Sequence, residues 1–66
     1  MDYSKEIRRI REKLLLTQSE FAERIGVSYA TVNRWEKGHH IPTIKARRKI
    51  KELCLKEGIA YHEIET

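Results

Sequence analysis

Residues 17–38 read TQSEFAERIGVSYATVNRWEKG and carry the strongest structural signals in the chain. Thr17 and Glu20 have the spacing of a capping box, in which each side chain accepts a hydrogen bond from the other residue's backbone N–H. A helix that begins here should end at Gly26, because glycine readily adopts the left-handed conformation found just past helix ends. Ser28 is a good N-cap and predicts that a second helix follows at once. Two short helices joined by a tight turn form a helix-turn-helix unit.

This unit, at about residues 17–37, is predicted to bury one side of each helix. The apolar residues that share those sides are Phe21, Ala22, Ile25, Val32 and Trp35. Helical spacing from Val32 makes Trp35 a core residue rather than a base-stacking one.

Two further helices are predicted outside the unit. Residues 3–15 carry Ile7, Ile10 and Leu14 at helical spacing, with charged residues on the other faces. A fourth helix should run between an N-cap at Thr43 and Gly58. Its predicted packed side consists of Ile44, Arg47, Ile50, Lys51 and Cys54, with Leu53 beside them.

The predicted fold is therefore all-α, a compact bundle of four helices. A fifth helix in the last residues is an alternative, because IAYHEIET is too short and ambiguous to assign. We expect one domain at 1–58 and a C-terminal tail at 59–66. Ile41, Ile59, Tyr61 and Ile64 are not accounted for by the predicted core, and they are candidates for a dimer surface.

Length and composition restrict the function. A chain of 66 residues and 7.9 kDa leaves little room for a deep substrate cavity, so we do not expect an enzyme or a cofactor. The one cysteine, Cys54, cannot form an internal disulfide and is expected to be an inert core residue in a reducing compartment. No apolar run is long enough to span a bilayer and no signal peptide is visible, so we expect a cytoplasmic protein.

Charge is distributed unevenly along the chain. The net charge is +4, but the segment from Arg34 to Lys51 holds seven basic residues and one acid. From Glu52 to Thr66, one lysine stands against four glutamates. A concentrated positive segment of this kind suits a polyanion such as nucleic acid.

The second helix of the unit should leave four side chains outside the core: Tyr29, Ala30, Asn33 and Arg34. Arginine can donate two hydrogen bonds to guanine, asparagine can bond adenine at two points, and a methyl group can pack on thymine. These side chains predict a surface that reads base edges.

The chain resembles the Cro/C1-type (XRE-like) helix-turn-helix domains of phage repressors and bacterial regulators. The similarity runs without gaps through residues 7–42, IRRIREKLLLTQSEFAERIGVSYATVNRWEKGHHIP, and includes TQ, FA, G, V, WE, G and P in order. The resemblance implies a lambda-repressor-like DNA-binding domain. In that family the helix after the glycine turn lies in the major groove, and the helix before it crosses the phosphate backbone.

The resemblance also implies residue roles. The positions that face bases are Ser28, Tyr29, Ala30, Asn33 and Arg34. Gln18 corresponds to a phosphate-binding residue at a helix start, and Thr31 and Lys37 resemble backbone contacts. Arg11 and Glu36 match a structural ion pair that ties the first helix to the end of the third. Many relatives carry glycine where this chain has Leu15, so the connection between the first two helices can differ locally.

His39, His40 and Cys54 suggest a metal site, but they lack the spacing of a closed zinc site, and no metal is expected. His39 is instead predicted to lie near the DNA backbone with His40 and to contact phosphate when protonated.

These observations predict sequence-specific binding of double-stranded DNA by a repressor-like transcriptional regulator of prokaryotic, archaeal or phage origin, associated with the nucleoid. We expect a homodimer on a palindromic or direct-repeat site, with no membrane partner and no evident small-molecule effector. Two alternatives stay open. One is a protein-interaction module of the antitoxin or antirepressor type, and the other is a DNA-targeting module of a larger enzyme.

Overall fold

The computed structural model describes residues 3–61, and this part of the chain forms four helices and no strand. The helices are α1 (Tyr3–Lys13), α2 (Gln18–Ile25), α3 (Tyr29–Glu36) and α4 (Ile44–Glu57). The all-α prediction is confirmed. Residues 59–61 are not helical, and the rest of the predicted tail, where a fifth helix was an alternative, lies outside the described residues.

The helix starts are as predicted. At the start of α2, the Thr17 hydroxyl accepts a hydrogen bond from the Glu20 N–H at 3.1 Å, and the Glu20 carboxylate accepts one from the Thr17 N–H at 2.9 Å. Ser28 and Thr43 cap α3 and α4, each accepting from the N–H three residues later. Each cap satisfies a backbone donor that would otherwise have no partner in its helix.

The end of α1 differs from the prediction. The helix stops at Lys13 rather than at residue 15, and Leu15 takes a left-handed backbone conformation with φ of 58°. Gly26 has the same kind of conformation after α2, with φ of 82°. At both positions the N–H of the following residue donates to the carbonyl five positions earlier, at 3.1 and 3.0 Å. Leu15 therefore adopts the backbone geometry that suits glycine, and a side chain with a Cβ is strained there.

The core lies between all four helices. α3 packs on α2 and α1, and α2 also packs on α4. The buried apolar residues are Tyr3, Ile7, Ile10, Phe21, Ala22, Ile25, Val32, Trp35, Ala46, Ile50, Leu53 and Cys54. The burial predicted for Trp35 and for Cys54 is confirmed, and desolvation raises the pKa of the Cys54 thiol.

The predicted packed side of α4 is partly wrong. Ile44 is 62% exposed and Lys51 is also exposed, whereas Ala46 and Leu53 are buried. The buried positions are 46, 50, 53 and 54, so the stripe that meets the core is rotated around the helix from the predicted one. Helical spacing alone could not choose between these two stripes, since both contain apolar residues.

The segment that follows α4 folds back on the domain. Ile59 and Tyr61 are partly buried against the core, and the Arg9 guanidinium donates to the Ala60 carbonyl at 2.7 Å. The expectation that the core does not account for Ile59 and Tyr61 is therefore wrong, because they pack within their own chain. Their part in a dimer surface stays a prediction. Ile41 is 60% exposed, and Ile64 lies outside the described residues.

Candidate nucleic-acid interface

α3 has two sides with different surroundings. Val32, Trp35 and Glu36 face inward and are buried. Their positions follow from helical spacing, and the contacts of α3 with α1 and α2 hold this side in place. The opposite side of the helix therefore has a fixed orientation relative to the rest of the domain.

The outward side carries the side chains predicted to face bases. Tyr29 is 51% exposed, Ala30 and Arg34 are exposed, and Asn33 is half-buried. The Asn33 side-chain nitrogen lies 3.5 Å from the Tyr29 hydroxyl and donates to it, because residues four apart on a helix are neighbours. The structure thus brings an aromatic ring, a methyl group, an amide and a guanidinium onto one exposed surface.

Ser28, also predicted to face bases, has a structural role at the start of α3. Its hydroxyl oxygen accepts from the Thr31 N–H at 3.2 Å and lies 2.9 Å from the Thr31 hydroxyl. Both side chains are on the exposed side of the turn that begins the helix. The Ser28 hydroxyl therefore already has partners within the protein.

The Glu36 carboxylate at the other end of α3 is buried and is the centre of a partly buried cluster. Arg11 of α1 donates to both of its oxygens, at 2.7 Å from Nε and 2.9 Å from Nη2. Gln18 donates to it at 3.1 Å and Arg8 at 3.4 Å. A third guanidinium nitrogen of Arg11 donates to the Leu16 carbonyl at 3.0 Å. The cluster ties α1, the connection to α2 and the start of α2 to the last residue of α3.

The charge state of Glu36 follows from this cluster. Burial raises the pKa of the Glu36 carboxyl, but the hydrogen bonds from Arg11, Gln18 and Arg8 and the Arg11 charge outweigh burial and hold that pKa below its ordinary value. The same contact with Glu36 raises the pKa of Arg11. Both groups are therefore charged at neutral pH, and removal of Glu36 would leave the partly buried Arg11 guanidinium without a carboxylate partner.

The structure gives Gln18 a partner that the sequence analysis missed. The side-chain nitrogen of this residue donates to Glu36, so the amide is partly engaged inside the domain. Arg8 is a second missed member of the cluster. Its spacing of three residues from Arg11 on α1 was the available signal, because residues three apart share a helix face. What joins them to Glu36 is packing between distant parts of the chain.

The loop after α3 extends the exposed surface. Lys37, His39 and His40 are exposed, and the His39 N–H donates to the Arg34 carbonyl at 3.0 Å. A shallow cleft of about 220 Å³ lies beside α3, with Thr31, Arg34 and His40 among its lining residues. The structure therefore brings the predicted backbone contacts Thr31 and His39 close to the predicted base-reading side of α3.

The basic run of α4 is divided between packing and solvent. Arg47 is partly buried, donates to the Tyr3 hydroxyl at 3.2 Å and lies over the Tyr3 ring at 5.7 Å from its centroid. Its neighbours in the run are exposed: Lys45, Arg48, Lys49 and Lys51. Arg47 thus joins α4 to the start of α1, and the other cations add to the positive surface.

Within residues 3–61, no group of three His, Cys, Asp or Glu side chains is arranged to hold a metal ion. None of the helices in this range has the length and apolar content that a bilayer crossing requires.

The comparisons with known proteins agree with this geometry. A family described as Helix-turn-helix matches residues 7–54, which is more than half of the chain. The chain belongs to this helix-turn-helix family. The helix-turn-helix protein is also 40% identical over 53 residues to an uncharacterized HTH-type transcriptional regulator of the archaeon Methanothermobacter thermautotrophicus. That match covers 80% of this chain and 77% of the relative.

Proposed function

We propose that this helix-turn-helix protein is a DNA-binding transcriptional regulator that reads double-stranded DNA with α3 in the major groove. The observation that carries the proposal is the outward side of α3, where Tyr29, Ala30 and Arg34 are exposed while the opposite side is fixed by the core. Membership of the family and the name of the archaeal relative support it. The family is one of DNA-binding regulators rather than of enzymes.

The proposed base contacts follow from side-chain chemistry. Arg34 would donate to guanine O6 and N7, Asn33 would bond adenine, and the Ala30 methyl group would pack on a thymine methyl group. Tyr29 would lie along the same groove. Ser28 is a weaker candidate for direct reading, because its hydroxyl already caps α3.

The proposed phosphate contacts surround this surface. Thr31, Lys37 and His39 would bind the backbone on either side of α3 and set its register on the duplex. Gln18 would contribute mainly through its backbone N–H at the start of α2, since its side-chain nitrogen donates to Glu36. These contacts fix the position of the protein without selecting a sequence.

The size of the domain favours two copies on the DNA. The longest dimension of the described part is 28 Å, which is less than one helical turn of B-DNA at roughly 34 Å. We propose a homodimer on a palindromic or direct-repeat site, with half-sites about one turn apart. The protein would act where chromosomal or phage DNA is found, in the cytoplasm of its host cell.

Selection of bound duplexes from a random pool tests this function. We expect one recurring motif, repeated with two-fold or direct symmetry, and an affinity that falls steeply as salt is raised. Recovery of no motif, together with binding that does not depend on salt, would overturn the proposal. Tight binding of a protein at high salt would favour the interaction-module alternative instead.

A further inference from the structure

The contact between Tyr29 and Asn33 has a consequence for sequence specificity. Both residues lie on the exposed side of α3, four positions apart, and the Asn33 Nδ2 donates to the Tyr29 hydroxyl at 3.5 Å. Asn33 is half-buried and Tyr29 is 51% exposed, so both residues border the outward surface of α3. The hydroxyl is therefore placed to hold the amide at that surface.

The two ends of an asparagine amide are not equivalent in base recognition. The amide bonds adenine at two points only when its oxygen accepts from N6 and its nitrogen donates to N7. Rotation of the amide by half a turn exchanges the oxygen and the nitrogen, and donor then meets donor. An amide without a partner in the protein has to be ordered in one of these orientations when it binds, at a cost in free energy.

We infer that Tyr29 is a positioning residue for Asn33: its hydroxyl accepts from Nδ2 and restrains the Asn33 amide, which lowers the cost of ordering that amide against adenine. The amide nitrogen carries two N–H groups. The N–H that points away from Oδ1 donates to the Tyr29 hydroxyl. The other N–H can then donate to adenine N7, while Oδ1 accepts from adenine N6. Tyr29 thus raises the preference for adenine at one base pair through Asn33, without contacting that base itself.

This inference rests on the proposed function, because it requires α3 to lie in the major groove. It goes further by assigning one base preference to a pair of side chains. A distance of 3.5 Å is long for a hydrogen bond, so the contact is weak in the free protein. The base would hold the amide in the plane that favours donation to Tyr29, so the contact should strengthen in the complex.

Tyr29→Phe tests the inference, because it removes the hydroxyl and keeps the ring on an exposed site. The motif bound by the natural protein is first selected from a random pool, and discrimination at each base pair is then measured with duplexes that carry single changes. We expect Tyr29→Phe to reduce the preference for adenine at one base pair by about three- to tenfold, which corresponds to one ordinary hydrogen bond. Preferences at the other base pairs should stay unchanged.

A double-mutant cycle separates positioning from direct reading. Asn33→Ala should abolish the preference at the same base pair, and Tyr29→Phe should then have no further effect on it. If Tyr29→Phe lowers that preference equally when it is combined with Asn33→Ala, the hydroxyl reads the base itself and the inference is wrong. If Asn33→Ala or Tyr29→Phe changes no base preference while the natural protein selects a motif, the inference fails and the proposed function stands. If the natural protein selects no motif, the proposed function fails first.

Discussion

The inner and outer sides of α3 belong to the same eight-residue helix, yet different forces determine the positions of their side chains. On the inner side, Val32 and Trp35 are enclosed by the core and Glu36 is held by a charged cluster that reaches α1 and α2. On the outer side, Tyr29 and Arg34 are exposed, and the contact from Asn33 to Tyr29 is weak. Substitutions on the inner side should therefore change stability, and substitutions on the outer side should change DNA binding.

Glu36→Ala should give the largest effect and act on stability. It leaves the Arg11 guanidinium, which is 16% exposed, without its carboxylate, and this should cost about 3 kcal/mol in the free energy of unfolding, the lower end of the range for a buried pair. Urea denaturation followed by circular dichroism measures this loss. Glu23→Ala, at an exposed position of α2, is the matched control and should stay within about 0.5 kcal/mol of the natural protein. A loss below about 1 kcal/mol for Glu36→Ala would show that the cluster contributes little to holding the inner side of α3 against α1 and α2.

Lowering the pH should reduce the free energy of unfolding through the same Glu36 carboxylate. The pKa of Glu36 is lower in the folded protein than its ordinary value, so the unfolded chain takes up the proton first as pH falls. The stabilisation by the ionised Glu36 carboxylate is complete above the ordinary glutamate pKa. It is lost as pH falls through the lower pKa of the folded state. The loss of stability at low pH should be smaller than the loss caused by Glu36→Ala, because a protonated carboxyl still accepts hydrogen bonds. Unfolding measured at successive pH values should show this dependence in the natural protein and a flatter one in Glu36→Gln.

Arg34→Ala should act on binding and leave stability within about 0.5 kcal/mol, because its side chain lies outside the core. We expect a loss of roughly 1 to 3 kcal/mol on the selected site and a relaxed preference at one base pair. Fluorescence anisotropy on matched and single-change duplexes measures both effects. Undiminished binding to the selected site would remove Arg34 from the proposed contacts.

Leu15→Gly should raise the free energy of unfolding without changing the contacts on either side of α3. The left-handed conformation of Leu15 strains a residue with a Cβ, and its side chain is 89% exposed, so little packing is lost. We expect a gain of about 0.5 to 1 kcal/mol, with DNA affinity unchanged. Leu55→Gly is the matched control, because Leu55 is also exposed but lies inside α4, where glycine should destabilise by about 1 kcal/mol. Equal losses for both variants would contradict the strain at Leu15.

Lys37→Ala should produce the smallest effect, and this effect should be on DNA affinity. The loss of one phosphate contact should weaken binding to specific and random duplexes alike, and should reduce the slope of log affinity against log salt by about 1. Lys56→Ala, in the last turn of α4, serves as the control. A change in base preference with Lys37→Ala would instead make Lys37 part of the reading surface.

The sequence predicted the local structure of the domain well, because each signal acts within a few residues. The capping box at Thr17, the N-caps at Ser28 and Thr43 and the left-handed turn at Gly26 each depend on bonds between neighbours in the chain. The apolar spacing of α2 and α3 also identified the side that meets the core. The outward side of α3, where the proposed base contacts lie, follows from that same spacing.

Other features needed the tertiary structure, since they join residues far apart in the chain or depend on how the helices are oriented. Gln18 and Arg8 donate to Glu36 across 18 and 28 positions, and Arg9 holds the Ala60 carbonyl across 51. No periodicity in the sequence specifies such contacts.

Four helices, their caps and the helix-turn-helix family could thus be inferred from the sequence, because hydrogen bonds and apolar spacing within a few residues encode them. Three features became visible only in the folded chain: which side of α4 is buried, the glycine-like turn at Leu15, and the packing of residues 59–61 on the domain. These features depend on the packing of whole helices against one another, which fixes the rotation of each helix and the path of each connection.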